Sequence, residues 1–110
     1  MLLVIDVGNT NTVLGLYDGD ELIYDWRIRT VIGHTVDEYG MLIYNLYKSS
    51  RSKTKRIRAI TGIIISCVVP PMLNILELLS IKYFNIKPMI IGPGIKTGMP
   101  IFYDNPKEVG

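Results

Sequence analysis

Residues 2–7, Leu-Leu-Val-Ile-Asp-Val, form a run of leucine and β-branched residues with a single polar position. A run without alternation fits a central strand buried on both faces, which in turn demands packed layers above and below a sheet. Turn formers interrupt it at Gly8-Asn9-Thr10-Asn11, and Thr12 to Tyr17 resumes as a second strand. Asp18-Gly19-Asp20 is a hairpin signal. From Glu21 to Arg29 the alternation is clear. Leu22, Tyr24, Trp26 and Ile28 fall on one face, with Glu21, Asp25, Arg27 and Arg29 on the other. The chain therefore opens as an antiparallel meander.

The period then changes. Thr35-Val36-Asp37-Glu38 fits a capping box, in which the Thr hydroxyl and Glu carboxylate satisfy free amides at a helix start. Val36, Tyr39, Ile43, Leu46 and Tyr47 follow at helical spacing. Ile57 to Val69 returns to a strand-like run, and Pro70-Pro71 suits the first turn of a second helix. Met72, Ile75, Leu76 and Leu79 mark the buried face of that helix, and Lys87 to Ile91 reads as a last short strand before Gly92-Pro93-Gly94. The expected class is α/β, with order β-β-β-α-β-α-β and a mixed sheet carrying helices on right-handed crossovers. Ribonuclease H-like folds have this order, including the actin, hexokinase and Hsp70 ATPase superfamily. Those ATPases pair two such domains around the nucleotide, and residues 1–110 supply one.

Composition narrows the class further. The 110 residues suit one modest core. The single Cys67 excludes a disulfide framework within the chain and points to a reducing compartment. An acid after five residues and no basic segment before it argue against a signal peptide or membrane anchor, so a cytoplasmic location is expected. Six of the 12 basic residues (Lys48, Arg51, Lys53, Lys55, Arg56, Arg58) lie in one eleven-residue stretch without an acid. Such a stripe is a potential nucleic-acid footprint, but it lacks interleaved aromatics and reads as a solvated surface loop. Nucleic acid is thus not an expected partner.

The chemistry concentrates at the first turn, Asp6-Val7-Gly8-Asn9-Thr10-Asn11-Thr12-Val13. A carboxylate at the end of a buried strand is costly unless it has a task. Gly8 allows a ligand close to the backbone. Asn9, Thr10 and Asn11 offer clustered donors of the kind that cradle phosphate oxygens. Asp6 would repel phosphate directly, so its role in such a site is to hold a hydrated Mg²⁺ that bridges phosphates. Without further context the same residues also describe a β-hairpin with a polar turn. They are not a Walker A loop, which needs a Lys-Ser/Thr pair opening a helix.

The turn resembles the phosphate-binding signature of type III pantothenate kinases, members of that same ATPase superfamily. Three later stretches are similar to the family's motifs in the same order. Ser66-Cys67-Val68-Val69-Pro70-Pro71 resembles its Ser-x-Val-Val-Pro segment, and Gly92-Pro93-Gly94-Ile95-Lys96-Thr97-Gly98 its Gly-Pro-Gly-x-Lys-Thr-Gly loop. Tyr103-Asp104-Asn105-Pro106-Lys107-Glu108-Val109-Gly110 resembles the stretch leading into its Gly-Ala-Asp-Arg motif. The resemblance implies ATP-dependent phosphorylation of pantothenate to 4′-phosphopantothenate, the first step of coenzyme A synthesis. It implies that Asp6, Val7, Gly8, Asn9, Thr10, Asn11, Thr12 and Val13 bind ATP, with Asp6 assisting Mg²⁺ or another divalent cation through water. Tyr103 and Gly110 would contact pantothenate, and Gly92, Gly94 and Gly98 would shape a loop near it. A monovalent cation (K⁺ or NH₄⁺) and a homodimer belong to the same implication.

The family's catalytic Asp falls two residues beyond the Gly that matches Gly110. The general base is thus expected outside residues 1–110, together with a second domain, and this segment by itself should be inactive. Other reactive residues have plainer readings. His34 precedes the helix cap and reads as an exposed loop residue. Cys67 lacks a basic neighbour in sequence and reads as an inert thiol. No further His, Cys or carboxylate stands at zinc-ligand spacing. A regulatory protein of the same fold, like the Bvg accessory factors, is the alternative, and the basic stripe is the feature that would carry it. Another kinase or chaperone-like ATPase of the superfamily fits less well, because those typically place Thr or Ser soon after Asp-x-Gly.

Overall fold

The structure, a computed structural model, describes residues 1–92. Its elements are β1 (Leu2–Val7), β2 (Asn11–Asp18), β3 (Glu21–Arg29), α1 (Val36–Lys53), β4 (Gly62–Cys67), α2 (Pro70–Phe84) and β5 (Met89–Ile91). The order is the expected ribonuclease H-like one. The five strands lie as β3-β2-β1-β4-β5, with β2 antiparallel to both its neighbours and β1, β4 and β5 parallel.

Both parallel crossovers, β1 to β4 and β4 to β5, step the same way across the sheet. A single hand for both places both helices on one face. Leu3, Ile5 and Val7 of β1 accordingly share one core with Leu14 and Leu16, Ile63 and Ile65, Tyr39 and Ile43 of α1, and Met72, Leu76 and Leu79 of α2. The expectation that β1 is buried on both faces is corrected here. Leu3, Ile5 and Val7 are buried while Leu2, Val4 and Asp6 are half-buried, because neither described helix covers the second face. Val13 and Tyr17, on that second face, are nevertheless buried outside the helix-backed core.

Local chemistry accounts for the element ends. Gly19 turns the β2–β3 hairpin at φ +60°, a region glycine enters without a Cβ clash. Thr35 Oγ1 accepts from Glu38 N–H while Glu38 Oε1 accepts from Thr35 N–H, the capping box expected from sequence. Pro70 and Pro71 occupy the first turn of α2, where no intrahelical donor is needed. Asn85 closes α2 in the left-handed region at φ 55°, its N–H bonded to the Ile81 carbonyl.

Four features differ from the sequence reading. The strand expected from Ile57 begins only at Gly62, since β1 starts at Leu2 and Leu2 pairs with Gly62. Before it, Ile57 is a buried anchor in a loop that the Met1 amine and carbonyl tie down through Ala59 and Thr61. The last strand is confined to Met89–Ile91, after Lys87 and Pro88. A register shift sets Tyr17 opposite Leu22 and Leu16 opposite Tyr24, leaving Ile23 as the extra residue of a bulge. Leu22 therefore leaves the Tyr24 face and is exposed. Finally, Lys48, Arg51 and Lys53 lie on the last turns of α1 rather than in a loop. There Lys48 and Arg51 rest over the Tyr44 and Tyr47 rings, and basic charge suits a helix C-terminus.

Candidate functional site

The turn between β1 and β2 stands where β1 and β4 end side by side. Asp6 is the last residue of β1 on the second face, flanked in register by Val13 of β2 and Ser66 of β4. Partial burial pushes its carboxyl up to about 6 from an ordinary 3.8. Desolvation is the cause, and among the described residues the carboxylate has no hydrogen bond or ion pair to offset it. A half-buried carboxylate without a protein partner is suited to an external cation. Among the described residues no cluster of three or more His, Cys, Asp or Glu is placed to hold a metal. Asp6 would therefore act as a lone carboxylate.

The turn is tied down from below. Gly8 N–H donates to the Asn11 carbonyl at 2.9 Å, and Val68 N–H donates to the Val7 carbonyl at 3.1 Å. Thr30, just past β3, donates its N–H to the Thr10 carbonyl and its hydroxyl to the Gly8 carbonyl, each at 2.8 Å. Thr12 Oγ1 lies 2.9 Å from Thr30 Oγ1, and Tyr39 of α1 donates its hydroxyl to Thr12 Oγ1 and the Arg29 carbonyl at 3.1 Å. Three of the four carbonyls of residues 8–11 are thus engaged inside the fold. That disposition suits an anion, which a free carbonyl oxygen would repel.

The predicted ATP residues separate into two groups. Asn9, Thr10 and Asn11 are exposed on the outside of the turn, and Gly8 is half-buried beneath them. Val7, Thr12 and Val13 are buried, and the Thr12 hydroxyl is occupied by Thr30 and Tyr39. Val7 packs in the helix-backed core and Thr12 supports the turn, while Val13 lies on the same face of the sheet as Asp6. Thr30 and Tyr39 were not singled out by the sequence. Counting register would have found Thr30, because Asn11 opposite Arg29 leaves the residue just after β3 beneath the turn. Cys67 has its thiol pushed up by burial and bonded with Val69, consistent with an inert group. His34 is half-buried rather than exposed, its ring tilted against Tyr39 at 5.5 Å and its Nδ1 3.7 Å from Glu38.

A family profile described as type III pantothenate kinase matches residues 2–110. The chain belongs to the type III pantothenate kinase family. It is 76% identical over all 110 residues to the type III pantothenate kinase of Syntrophus aciditrophicus (strain SB). It is 59% identical to that of Geobacillus kaustophilus (strain HTA426) and 58% identical to that of Geobacter sulfurreducens, again over 110 residues. The chain spans 42% of the length of each of these relatives. Among solved structures, Thermus thermophilus RuvC aligns over 84% of this chain and 61% of its own, with 15% identity and a TM-score of 0.49.

Of the four stretches that resemble type III pantothenate kinase motifs, the described residues contain two in full. The phosphate turn and Ser66–Pro71 meet where β1 and β4 end, with Asp6 and Ser66 adjacent in register. Of the third, Gly92 is described, while residues 93–98 lie outside the described residues. Tyr103 and Gly110, expected at the pantothenate, also lie outside them.

Proposed function

We propose that the whole protein transfers the γ-phosphoryl group of ATP to pantothenate, giving 4′-phosphopantothenate, and that residues 1–110 contribute the domain bearing the phosphate turn. The observation that carries this reading is the juxtaposition of a half-buried Asp6, unpartnered among the described residues, with a turn in which three of four carbonyls are engaged and Asn9, Thr10 and Asn11 are exposed. Asp6 fits a hydrated divalent cation such as Mg²⁺, which favours oxygen ligands and is commonly held by one or two carboxylates together with phosphates. When bound, that cation supplies charge neutralisation on the transferring phosphoryl group.

The chain's own residues perform the positioning. The donors of Asn9, Thr10 and Asn11 hold the phosphate oxygens, Asp6 orients the cation, and Thr30 with Thr12 and Tyr39 keeps the turn in place. Tyr103 and Gly110 are assigned to pantothenate. The carboxylate that takes the proton from the pantothenate hydroxyl is assigned to the second domain's side of the sequence, just beyond Gly110. A monovalent cation, a homodimer and a cytoplasmic location complete the proposal. Among the described residues no helix is long and apolar enough to cross a membrane.

No observation favours the regulatory alternative. In the basic stretch that would carry it, Arg56 pairs with Glu21 at 2.7 Å and Arg58 with Asp18 at 3.8 Å, both on the β2–β3 hairpin. The test is pantothenate phosphorylation by the full-length protein and its Asp6→Asn variant. The variant is expected to lose about 100-fold or more in kcat/KM. Undiminished turnover would remove Asp6 from the site, and a wild-type protein inert toward pantothenate would remove the function.

A further inference from the structure

The hydroxyl groups beneath the turn have a forced direction. The Gly8 carbonyl can only accept, so Thr30 Oγ1 spends its proton on it at 2.8 Å. Thr12, 2.9 Å away, must then donate to Thr30. Thr12 Oγ1 is left as an acceptor, and Tyr39 donates to it at 3.1 Å while sharing the same proton with the Arg29 carbonyl. The order Tyr39 to Thr12 to Thr30 to Gly8 is thereby set by one carbonyl at its end. Thr12 and Tyr39 are fully buried, so water cannot substitute for a missing member. Each bond polarises the next in such a chain. The chain joins α1, β2 and the end of β3 to the backbone of the turn, and Thr30 N–H adds a second hold at the Thr10 carbonyl.

We propose that Thr30 is a positioning residue for phosphate binding, and that Tyr39, acting through Thr12, holds it in that role. The inference rests on the phosphate-binding reading of the turn and extends it to residues that touch no ligand. With the Thr30 hydroxyl gone, the Gly8 carbonyl loses its donor and is free to rotate outward, where it would oppose phosphate oxygens. The cost falls on the nucleotide and not on pantothenate, whose assigned contacts are Tyr103 and Gly110.

The test measures binding of a Mg²⁺ complex of a non-hydrolysable ATP analogue to the full-length protein by calorimetry, beside KM for pantothenate. Thr30→Val keeps the shape and removes the hydroxyl, and is expected to weaken nucleotide binding about tenfold while moving the pantothenate KM less than about twofold. Thr30→Ser restores the hydroxyl and is expected to recover most of the affinity. Tyr39→Phe should show a smaller loss in the same direction. Unchanged nucleotide affinity in Thr30→Val would overturn the proposal. So would an equal loss toward both substrates that Thr30→Ser does not rescue, which is the mark of a purely structural role. Nucleotide affinity reads independently of the acceptor: a protein that binds the analogue but leaves pantothenate unphosphorylated defeats the substrate assignment and leaves Thr30 in its role.

Discussion

Asp6 carries a stability cost that depends on pH. The folded chain holds its carboxyl at about 6 against an ordinary 3.8, so the folded state binds that proton more tightly than the unfolded state does. For this group, stability is fully present below 3.8 and is lost as the pH rises through about 6. Asp6→Asn abolishes the dependence. At pH 7 the variant is expected to be more stable than wild type by about 1–2 kcal/mol, a figure discounted for the carboxyl's partial contact with solvent. Urea unfolding of both proteins at pH 4 and pH 7 checks it, and a difference that does not grow with pH would refute the burial argument. A substitution that stabilises the fold while abolishing transfer is what a functional carboxylate predicts. The sequence shows the cost of Asp6 plainly, because an acid inside a β-branched run stands out. Thr12 was not legible in the same way. Its place in the motif suggests a ligand contact, whereas its register opposite Val7 turns the hydroxyl toward α1 and into the hydrogen-bond chain with Thr30.

At the scale of elements, the two helices meet through a glycine. A Cβ on Gly40 would lie 2.5 Å from two ring atoms of Tyr83 and 3.2 Å from Leu79 Cβ. Tyr83 cannot swing aside freely, since its hydroxyl donates to Asp37 at 2.6 Å and the same carboxylate accepts from Lys82 at 2.7 Å. Crowding of this kind costs about 1–3 kcal/mol, against a gain of about 1 kcal/mol when Ala replaces Gly inside a helix. Gly40→Ala is therefore expected to lower stability by up to about 2 kcal/mol. In a Tyr83→Ala background the same change should become stabilising, and a double-mutant cycle measured by thermal unfolding separates the two terms. At the start of α1, Thr35→Ala removes the acceptor for Glu38 N–H and is expected to cost about 1 kcal/mol in the same measurement. The capping box and the prolines of α2 were legible because a few adjacent residues specify each. Gly40 was not, since its neighbours Leu79 and Tyr83 are about forty positions away in sequence and only the packing of α1 on α2 brings them together.

Across the whole molecule, period and order were enough for the topology, and the hand of the crossovers then placed both helices on one face. What sequence could not supply was which face of β1 would stay half-open. A continuous apolar run looks the same whether its second face meets a helix of the same domain or something else, and in this chain Asp6 stands on the side that neither described helix covers. The pairing of Arg56 with Glu21 and Arg58 with Asp18 was equally hidden, because both pairs cross from the segment after α1 back to the first hairpin.

That half-open face leads to the last prediction. Phosphoryl transfer depends on positioning and on charge stabilisation away from water. Here the outward residues of the turn are exposed, and the carboxylate proposed as the base falls beyond Gly110. A protein consisting of residues 1–110 should therefore fold, since its core joins three strands and both helices, yet turn over no pantothenate. It should bind Mg²⁺-ATP with an affinity weaker than the full-length protein by about 100-fold or more, because half of the contacts and the exclusion of water are missing. Circular dichroism establishes the first point, and a coupled assay with calorimetry the others. Measurable transfer by residues 1–110 would mean that the proton acceptor lies inside this segment, and the carboxylates of Asp6 and Asp104 would be the first to replace by Asn.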